Sequence, residues 1–132
     1  MASLLNPYIL FAGNTREAME FYRSVFGGTL NMITYGDFGS PVDGDKIMHA
    51  ILETDSGFTI MAADTPPGAE HNVGTDMAVS LSGDDAAELR RYWDKLSASG
   101  TTQTPLDKQV WGDTFGACAD RFGVSWLVNI AE

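Results

Sequence analysis

The stretch YILFAGNTREAMEFYRSVFGGTL, residues 8–30, returns in altered form as MAVSLSGDDAAELRRYWDKLSASGTT, residues 77–102. Setting Phe21-Tyr22 against Tyr92-Trp93 gives an offset of 71 residues. Each copy predicts a short strand, a turn containing Gly13 or Gly83, and a helix followed by glycine. The chain is therefore predicted to consist of two copies of one structural unit.

Both predicted helices have a start signal and an apolar stripe. The first helix is predicted to start at Asn14, which caps it while Glu17 reaches back in capping-box spacing, and to end at Gly27-Gly28. In the second helix, Asp84, Asp85 and Glu88 suit the positive N-terminal end. The stripes that we expect to be buried are Ala18, Met19, Tyr22, Val25 and Phe26, and then Leu89, Tyr92, Trp93 and Leu96.

Strand-like sequence ending in a hairpin follows each helix. In the first copy, residues 28–35 predict one strand, and IMHAILETDSGFTIMAAD (residues 47–64) predicts two strands around a turn at residues 55–57. In the second copy, residues 109–119 and 124–130 flank a turn at residues 120–123. The expected fold is α+β, with βαβββ modules at about residues 5–65 and 74–131 in one domain spanning residues 1–132. The Pro- and Gly-rich segment DTPPGAEHNVGTD (residues 64–76) is the predicted connector.

Composition excludes several classes of function. Eighteen acidic and eight basic residues give a formal charge of −10, and the scattered Lys and Arg residues argue against a nucleic-acid or anionic-membrane partner. No apolar run approaches a membrane span of about 20 residues, and the N-terminus lacks the basic region of a signal peptide. Cys118 is alone, which excludes an intrachain disulfide. We therefore expect a cytoplasmic protein.

The motifs YILFAGNTREAMEFYRSVFGG, IMHAILETDSG and WGDTFGACADRFGVSWLVNI resemble those of the vicinal oxygen chelate superfamily. This superfamily includes glyoxalase I, bleomycin-binding and fosfomycin-resistance proteins, and extradiol dioxygenases, and the closest likeness is to its PhnB-like branch. The resemblance covers nearly the whole chain. It implies two βαβββ modules that form a curved mixed sheet around a small-molecule cavity, commonly completed by homodimerisation.

The resemblance also implies where a metal would bind. Metal-dependent members hold the ion with His, Gln or Glu side chains on the first and fourth strands of each unit. Here those positions fall at Pro7-Tyr8 and Asp76 on the first strands, and at Met61 and Leu127 on the fourth strands. A thioether is unsuited to Mg²⁺, Mn²⁺ or Fe²⁺, and leucine has no ligating atom. We therefore expect neither a metal nor another cofactor at this site.

Hairpin geometry predicts which residues share a face of the sheet, and the resemblance implies that the face with Met61 lines the cavity, because Met61 occupies a ligand-type position. The simplest register pairs Thr54 with Phe58, Leu52 with Ile60 and Ala50 with Ala62. The opposite face then carries His49, Ile51, Glu53, Thr59, Met61 and Ala63. The same alternation in the second unit adds Asp76, Ala78, Ser80, Thr114, Leu127 and Asn129.

Two interpretations of His49 remain open. Beside Glu53 and Asp76 it could perform general acid–base chemistry, because an imidazole titrates near neutrality. It could equally be a hydrogen-bonded strand residue in a partly wet pocket, with Glu53 a solvated residue at the rim. The other histidine, His71, lies in the polar connector and is expected to be exposed to solvent.

Three other features have simple structural interpretations. Cys118 lies in a predicted strand without a basic neighbour in sequence, and is expected to be a small core residue rather than a nucleophile. Trp111 and Phe115 either pack in the sheet or form an aromatic wall for a planar ligand. The segment GDFGSP, residues 36–41, lacks the strand-to-helix context of a phosphate loop and is interpreted as a flap over the cavity.

Three functions fit these features. The first is a glyoxalase-related enzyme acting on a small oxygenated metabolite, with His49 and Glu53 as candidate catalytic residues. The second is a non-catalytic binder of a hydrophobic or aromatic small molecule, of the bleomycin-resistance type. The third is a structural or regulatory dimer. In the first two, the ligand-contacting residues would be Met61, Asp76, Ser80, Trp111 and Leu127.

Overall fold

The computed structural model describes residues 3–40, 43–66 and 68–131, which form two compact units divided between Val73 and Gly74. The first module contains β1 (Tyr8–Phe11), α1 (Thr15–Phe26), β2 (Thr29–Thr34), a 3₁₀ turn (Gly36–Phe38), β3 (Ile47–Glu53) and β4 (Thr59–Asp64). The second contains β5 (Val79–Gly83), α2 (Ala86–Ser97), β6 (Thr101–Lys108), β7 (Thr114–Ala119) and β8 (Ser125–Ile130). No helix within the described ranges is long and apolar enough to cross a membrane.

Each module is a four-stranded mixed sheet with one helix. The strand orders are β1-β4-β3-β2 and β5-β8-β7-β6. The first strand of each module runs parallel to the last, and the other neighbours are antiparallel. The predicted α+β class with two βαβββ modules is thus confirmed.

The predicted apolar stripe of α1 is buried, and the helix packs against β2, β3 and β4. Asn14 occupies the N-cap position as predicted, but its side chain makes no capping hydrogen bond, so that part of the prediction is wrong. Instead, Oδ1 of the buried Asp64 accepts a hydrogen bond from the Thr15 backbone N–H at 3.0 Å. Asp64 lies opposite Phe11 at the end of β1, so pairing of β1 with β4 brings its carboxylate to the start of the helix.

The predicted stripe of α2 is also buried. As the acidic start of the helix suggests, Asp85 caps it by accepting a hydrogen bond from the Glu88 backbone N–H at 3.1 Å. On β7, Gly116 leaves room for the indole of Trp93, since a Cβ at this position would lie 2.8 Å from the Trp93 ring. The tight packing of α2 on its sheet therefore depends on glycine in the strand.

The β3–β4 hairpin has the predicted register, with Leu52 opposite Ile60 and Ala50 opposite Ala62. At the other end of β3 the pairing with β2 shifts: Ile33 lies opposite His49, but the next residue of β2, Thr34, lies opposite Ile47. Met48 is therefore the extra residue of a β-bulge. Because a bulge reverses the alternation, Ile47 is buried although it lies two residues from His49.

Three predictions about the second module are wrong. Asp76, predicted to lie on a strand, is exposed in a bend before β5, which starts at Val79. The strand predicted over residues 109–119 starts only at Thr114, because the Gln109 backbone N–H bonds to the Asp113 carbonyl and closes a turn. Thr114 itself is buried opposite Ile130, on the face opposite to the one predicted.

Candidate functional site in the first module

We define the open face of the first module by six residues that share one side of its sheet. Strand pairing sets Ile33 beside His49, Met61 beside both Tyr8 and Ile51, and Leu10 two residues beyond Tyr8. None of the six is buried: Tyr8 is 50% exposed, Leu10 48% and Ile33 36%, and the others are half-buried. This face thus presents apolar surface around a phenol and an imidazole.

A hydrogen bond joins Tyr8 to His49 across the sheet. The Tyr8 hydroxyl lies 3.3 Å from Nδ1 of His49, and the two ring centroids are 5.8 Å apart. Because β4 lies between β1 and β3, the contact spans two strand spacings, or roughly 10 Å of sheet. Ala63 is the β4 residue opposite Leu10 on this face. Its small side chain leaves room for the longer ones to meet above it.

The structure does not bring Glu53 to His49. Both lie on one face of β3, but four residues of strand separate them by roughly 13 Å. Glu53 is exposed at the strand end, opposite Thr29 and Thr59. The side chain that contacts the imidazole is therefore the phenol of Tyr8 rather than the carboxylate expected from strand alternation.

The positions implied for a metal do not carry a metal-binding set. Met61 pairs with Tyr8 in the first module, and Leu127 pairs with Ser80 in the second, so Ser80 rather than Asp76 corresponds to Tyr8. A phenol, a thioether, an aliphatic alcohol and an alkyl group do not fit a divalent ion that prefers carboxylate and imidazole ligands. Over residues 3–40, 43–66 and 68–131, no three His, Cys, Asp or Glu side chains are grouped so as to hold a metal.

In the second module, Ser80 is exposed and Leu127 is half-buried on the same side of the sheet. Asn129 shares this side, and its Nδ2 donates to Oδ2 of Asp113 at 3.0 Å. Trp111 is 60% exposed in the turn before β7, with its ring edge-on to Phe115 at 6.0 Å. Trp111 is thus not packed in the sheet, which was one of the two alternatives.

The environments of the remaining candidate residues do not indicate a role in chemistry. Cys118 is fully buried, and burial together with the nearby Asp120 carboxylate raises the pKa of its thiol to about 11. This confirms the prediction of a core residue, since a neutral thiol is a poor nucleophile. His71 is exposed as predicted, with Nδ1 2.9 Å from the Thr65 hydroxyl. In the predicted flap, residues 36–38 form the 3₁₀ turn, and Pro41 lies outside the described residues.

Two residues acquire importance only from the structure. The sequence indicates Tyr8 only as a position for a metal ligand, and Asp64 only as the end of a strand. Both act through the parallel pairing of β1 with β4, whose partners are more than 50 residues apart in sequence. In the sequence, Tyr8 lies at the start of the repeated stretch, and this position does not specify a partner.

Comparisons with known proteins agree with this architecture. Residues 4–128 match a family model described as the Glyoxalase/Bleomycin resistance protein/Dioxygenase superfamily. Protein YjdN of Escherichia coli K12 is 27% identical over 97% of this chain and 95% of its own length. The structure of protein PA1353 from Pseudomonas aeruginosa is 40% identical, covers 98% of each chain and gives a TM-score of 0.88. The structure of a PhnB protein from Bacillus cereus gives a TM-score of 0.77 at 25% identity. The match covers 98% of this chain and 100% of the Bacillus cereus chain.

Proposed function

This chain belongs to the Glyoxalase/Bleomycin resistance protein/Dioxygenase superfamily, and from that premise we propose that it binds a small molecule on the open face of its first module. Its membership confirms the resemblance stated from the sequence, and the similarity to a PhnB protein agrees with the branch named there. The proposal assigns no reaction. His49 is its central residue, both for contact with the ligand and for any proton transfer.

The observation that carries the proposal is the hydrogen bond between Tyr8 and His49 amid exposed apolar surface. Small-molecule sites are commonly lined by apolar side chains with a few polar groups that fix the ligand's orientation. Leu10, Ile33 and Met61 supply the apolar part. A strand histidine with a purely structural role would not require such surface around it.

Binding is tested by a thermal-shift screen of small metabolites, with each hit measured by calorimetry against the wild type and His49→Phe. We expect a hit to stabilise the wild type and to lose about fivefold or more in affinity in His49→Phe, because one polar contact is removed. His71→Phe is the matched control, since it changes the other histidine, in the exposed connector. Equal affinity in all three proteins would overturn the role of His49.

The alternative, a non-catalytic binder of an aromatic compound, is favoured by a different observation. Trp111 is 60% exposed beside the half-buried Phe115, and an exposed indole offers a stacking surface. Bleomycin is a suitable probe because the family description includes bleomycin resistance proteins. Quenching of tryptophan fluorescence by bleomycin in the wild type, abolished in Trp111→Leu, would support this alternative, and unchanged quenching in the variant would contradict it.

A homodimer and a cytoplasmic location complete the proposal. The partly exposed apolar side chains of the open face, Leu10 and Ile33 among them, favour coverage by a ligand or by a second copy. The single buried thiol is compatible with a reducing compartment. Light scattering after size-exclusion chromatography should give twice the 14.3 kDa chain mass, and the chain mass itself would contradict the dimer.

A further inference from the structure

We propose that Tyr8 holds the neutral His49 imidazole with its proton on Nε2, so that the open face presents an N–H donor suited to an uncharged carbonyl compound. This inference rests on the proposed function, because it names the class of ligand for the same site. In it, Tyr8 is a positioning residue and His49 is the group that contacts the ligand.

The direction of the hydrogen bond follows from the chemistry of the two groups. A phenol is a better donor than a neutral imidazole N–H, and the imidazole lone pair is a better acceptor than a phenol oxygen. The Tyr8 hydroxyl therefore donates to Nδ1 of His49, 3.3 Å away, and the proton of the neutral ring lies on Nε2. Across residues 3–40, 43–66 and 68–131, Nε2 has no hydrogen-bond partner, which leaves it available to a ligand.

The charges around this donor favour an uncharged acceptor. None of the four strands of the first module contains Lys or Arg, and the only carboxylate at a strand position on the open face is Glu53. The basic residue nearest to His49 in sequence is Lys46, which precedes β3. Its Nζ lies 3.9 Å from Oδ2 of Asp43. With a chain charge of −10 and no Lys or Arg on these four strands, an anionic ligand would be repelled.

The apolar residues define the rest of the ligand. Leu10, Ile33, Ile51 and Met61 surround the hydrogen-bonded pair and offer nothing to a second polar group. A ketone, ester or amide oxygen satisfies one N–H donor, and the hydrocarbon part of such a molecule covers the side chains. The inferred class is thus a largely apolar, uncharged molecule with one accessible carbonyl.

The position of the proton is measured without any ligand, by long-range ¹H–¹⁵N NMR of the imidazole rings at about pH 8.5, where an ordinary histidine is neutral. The chain has two histidines, so His71→Gln assigns both sets of signals. We expect Nδ1 of His49 to be unprotonated in the wild type and the two tautomers to mix in Tyr8→Phe. Tyr35→Phe, which keeps Tyr8, is the control and should match the wild type. A proton on Nδ1 in the wild type would overturn the positioning role of Tyr8.

The ligand class is tested with three probes of one shape: 2-acetonaphthone, 2-ethylnaphthalene and 2-naphthoate. The ketone should bind about fivefold tighter than the hydrocarbon, the difference expected for one hydrogen bond. His49→Phe, which removes the donor but keeps a ring, should bind both equally. Tighter binding of the carboxylate, or no preference for the ketone in the wild type, would overturn the inference.

The two proposals fail in distinguishable ways. If the naphthalene probes do not bind but the metabolite screen gives ligands that depend on His49, the carbonyl class is wrong and the small-molecule site stands. If His49→Phe changes the affinity for no ligand of either set, the site itself is refuted. Tyr8→Phe and His49→Phe are compared with the wild type by circular dichroism, so that a folding defect is not taken for lost binding.

Discussion

At the scale of single residues, Asp64 joins three parts of the first module. Asp64 is the last residue of β4. Its carboxylate accepts a hydrogen bond from the Thr15 backbone N–H at 3.0 Å and another from the Ile47 backbone N–H at 2.8 Å. The side chain thus ties the start of α1 to the start of β3, next to the bulge at Met48 that precedes His49. A carboxylate at a helix N-terminus is also favoured by the helix dipole.

Asp64→Asn is expected to lower the free energy of unfolding by about 1–3 kcal/mol, since one of two buried acceptors becomes an amide donor facing a backbone N–H. Urea denaturation followed by circular dichroism measures the change. Asp45→Asn in the same module is the control, because Asp45 is exposed, and it should stay within about 0.5 kcal/mol of the wild type. An equal loss in both variants would contradict the proposed role of Asp64.

Cys118 is expected to be unreactive in the folded protein. Burial and the Asp120 carboxylate raise the pKa of its thiol to about 11, so only about one thiol in 1,000 is ionised at pH 8. A thiol-exchange reagent should therefore label the native protein slowly at pH 8 and faster as the pH rises toward 11. Labelling in urea should be rapid and stoichiometric. Rapid labelling of the native chain at pH 8 would show that the thiol is accessible and ionised.

At the scale of elements, each helix is held on its sheet by one buried stripe, and the strand beneath must match its shape. In the second module the match is between Trp93 on α2 and Gly116 on β7. The glycine removes a side chain from the centre of a sheet and so weakens the strand intrinsically. Its presence there is explained by the large apolar surface that the indole buries.

Gly116→Ala is expected to destabilise the protein by about 1–3 kcal/mol, because the new methyl group would lie 2.8 Å from the Trp93 ring and force it to move. Chemical denaturation of Gly116→Ala, Trp93→Leu and the double variant forms a mutant cycle. The alanine should cost less when residue 93 is leucine, since the smaller side chain leaves room. Additive losses would show that the two residues do not compete for space.

At the scale of the whole molecule, two modules of one design differ in the chemistry of corresponding positions. The pair Tyr8 and Met61 in the first module corresponds to Ser80 and Leu127 in the second. The repeat does not require a second histidine at the position equivalent to His49. Function resides in side chains added to a fold rather than in the fold itself. The duplication therefore explains the architecture, while the proposed chemistry belongs to the first module.

The protein is expected to lack both a tightly bound divalent ion and glyoxalase activity. Without a Lewis acid, little would stabilise the enediolate through which isomerisation of a methylglyoxal–glutathione adduct passes. Elemental analysis of protein purified without chelators should find well below one ion per chain. Activity should stay at background with added Ni²⁺ or Zn²⁺. One tightly bound ion per chain, or robust turnover, would show that the ligand positions were misassigned.

Much of this molecule followed from short-range patterns. The apolar stripes of both helices and the β3–β4 register depend on residues a few positions apart, where side-chain periodicity and turn chemistry act directly. The repeat is readable as a similarity between two segments offset by 71 residues. The exclusion of a reactive role for Cys118 followed from the same local reasoning. The predictions failed where local signals competed: the Asn14 side chain makes no bond to the helix start, and the strand predicted from residue 109 starts only at Thr114.

The sequence by itself therefore determined the two βαβββ modules, their buried faces and the side on which His49 lies. Only the tertiary structure decided that Tyr8 rather than Glu53 meets His49, that Asp64 caps α1, and that Ser80 rather than Asp76 pairs with Leu127. The physical reason is common to all three. Each depends on the parallel pairing of a module's first and last strands, whose register is set by packing of the whole module and has no signal in the residues between them.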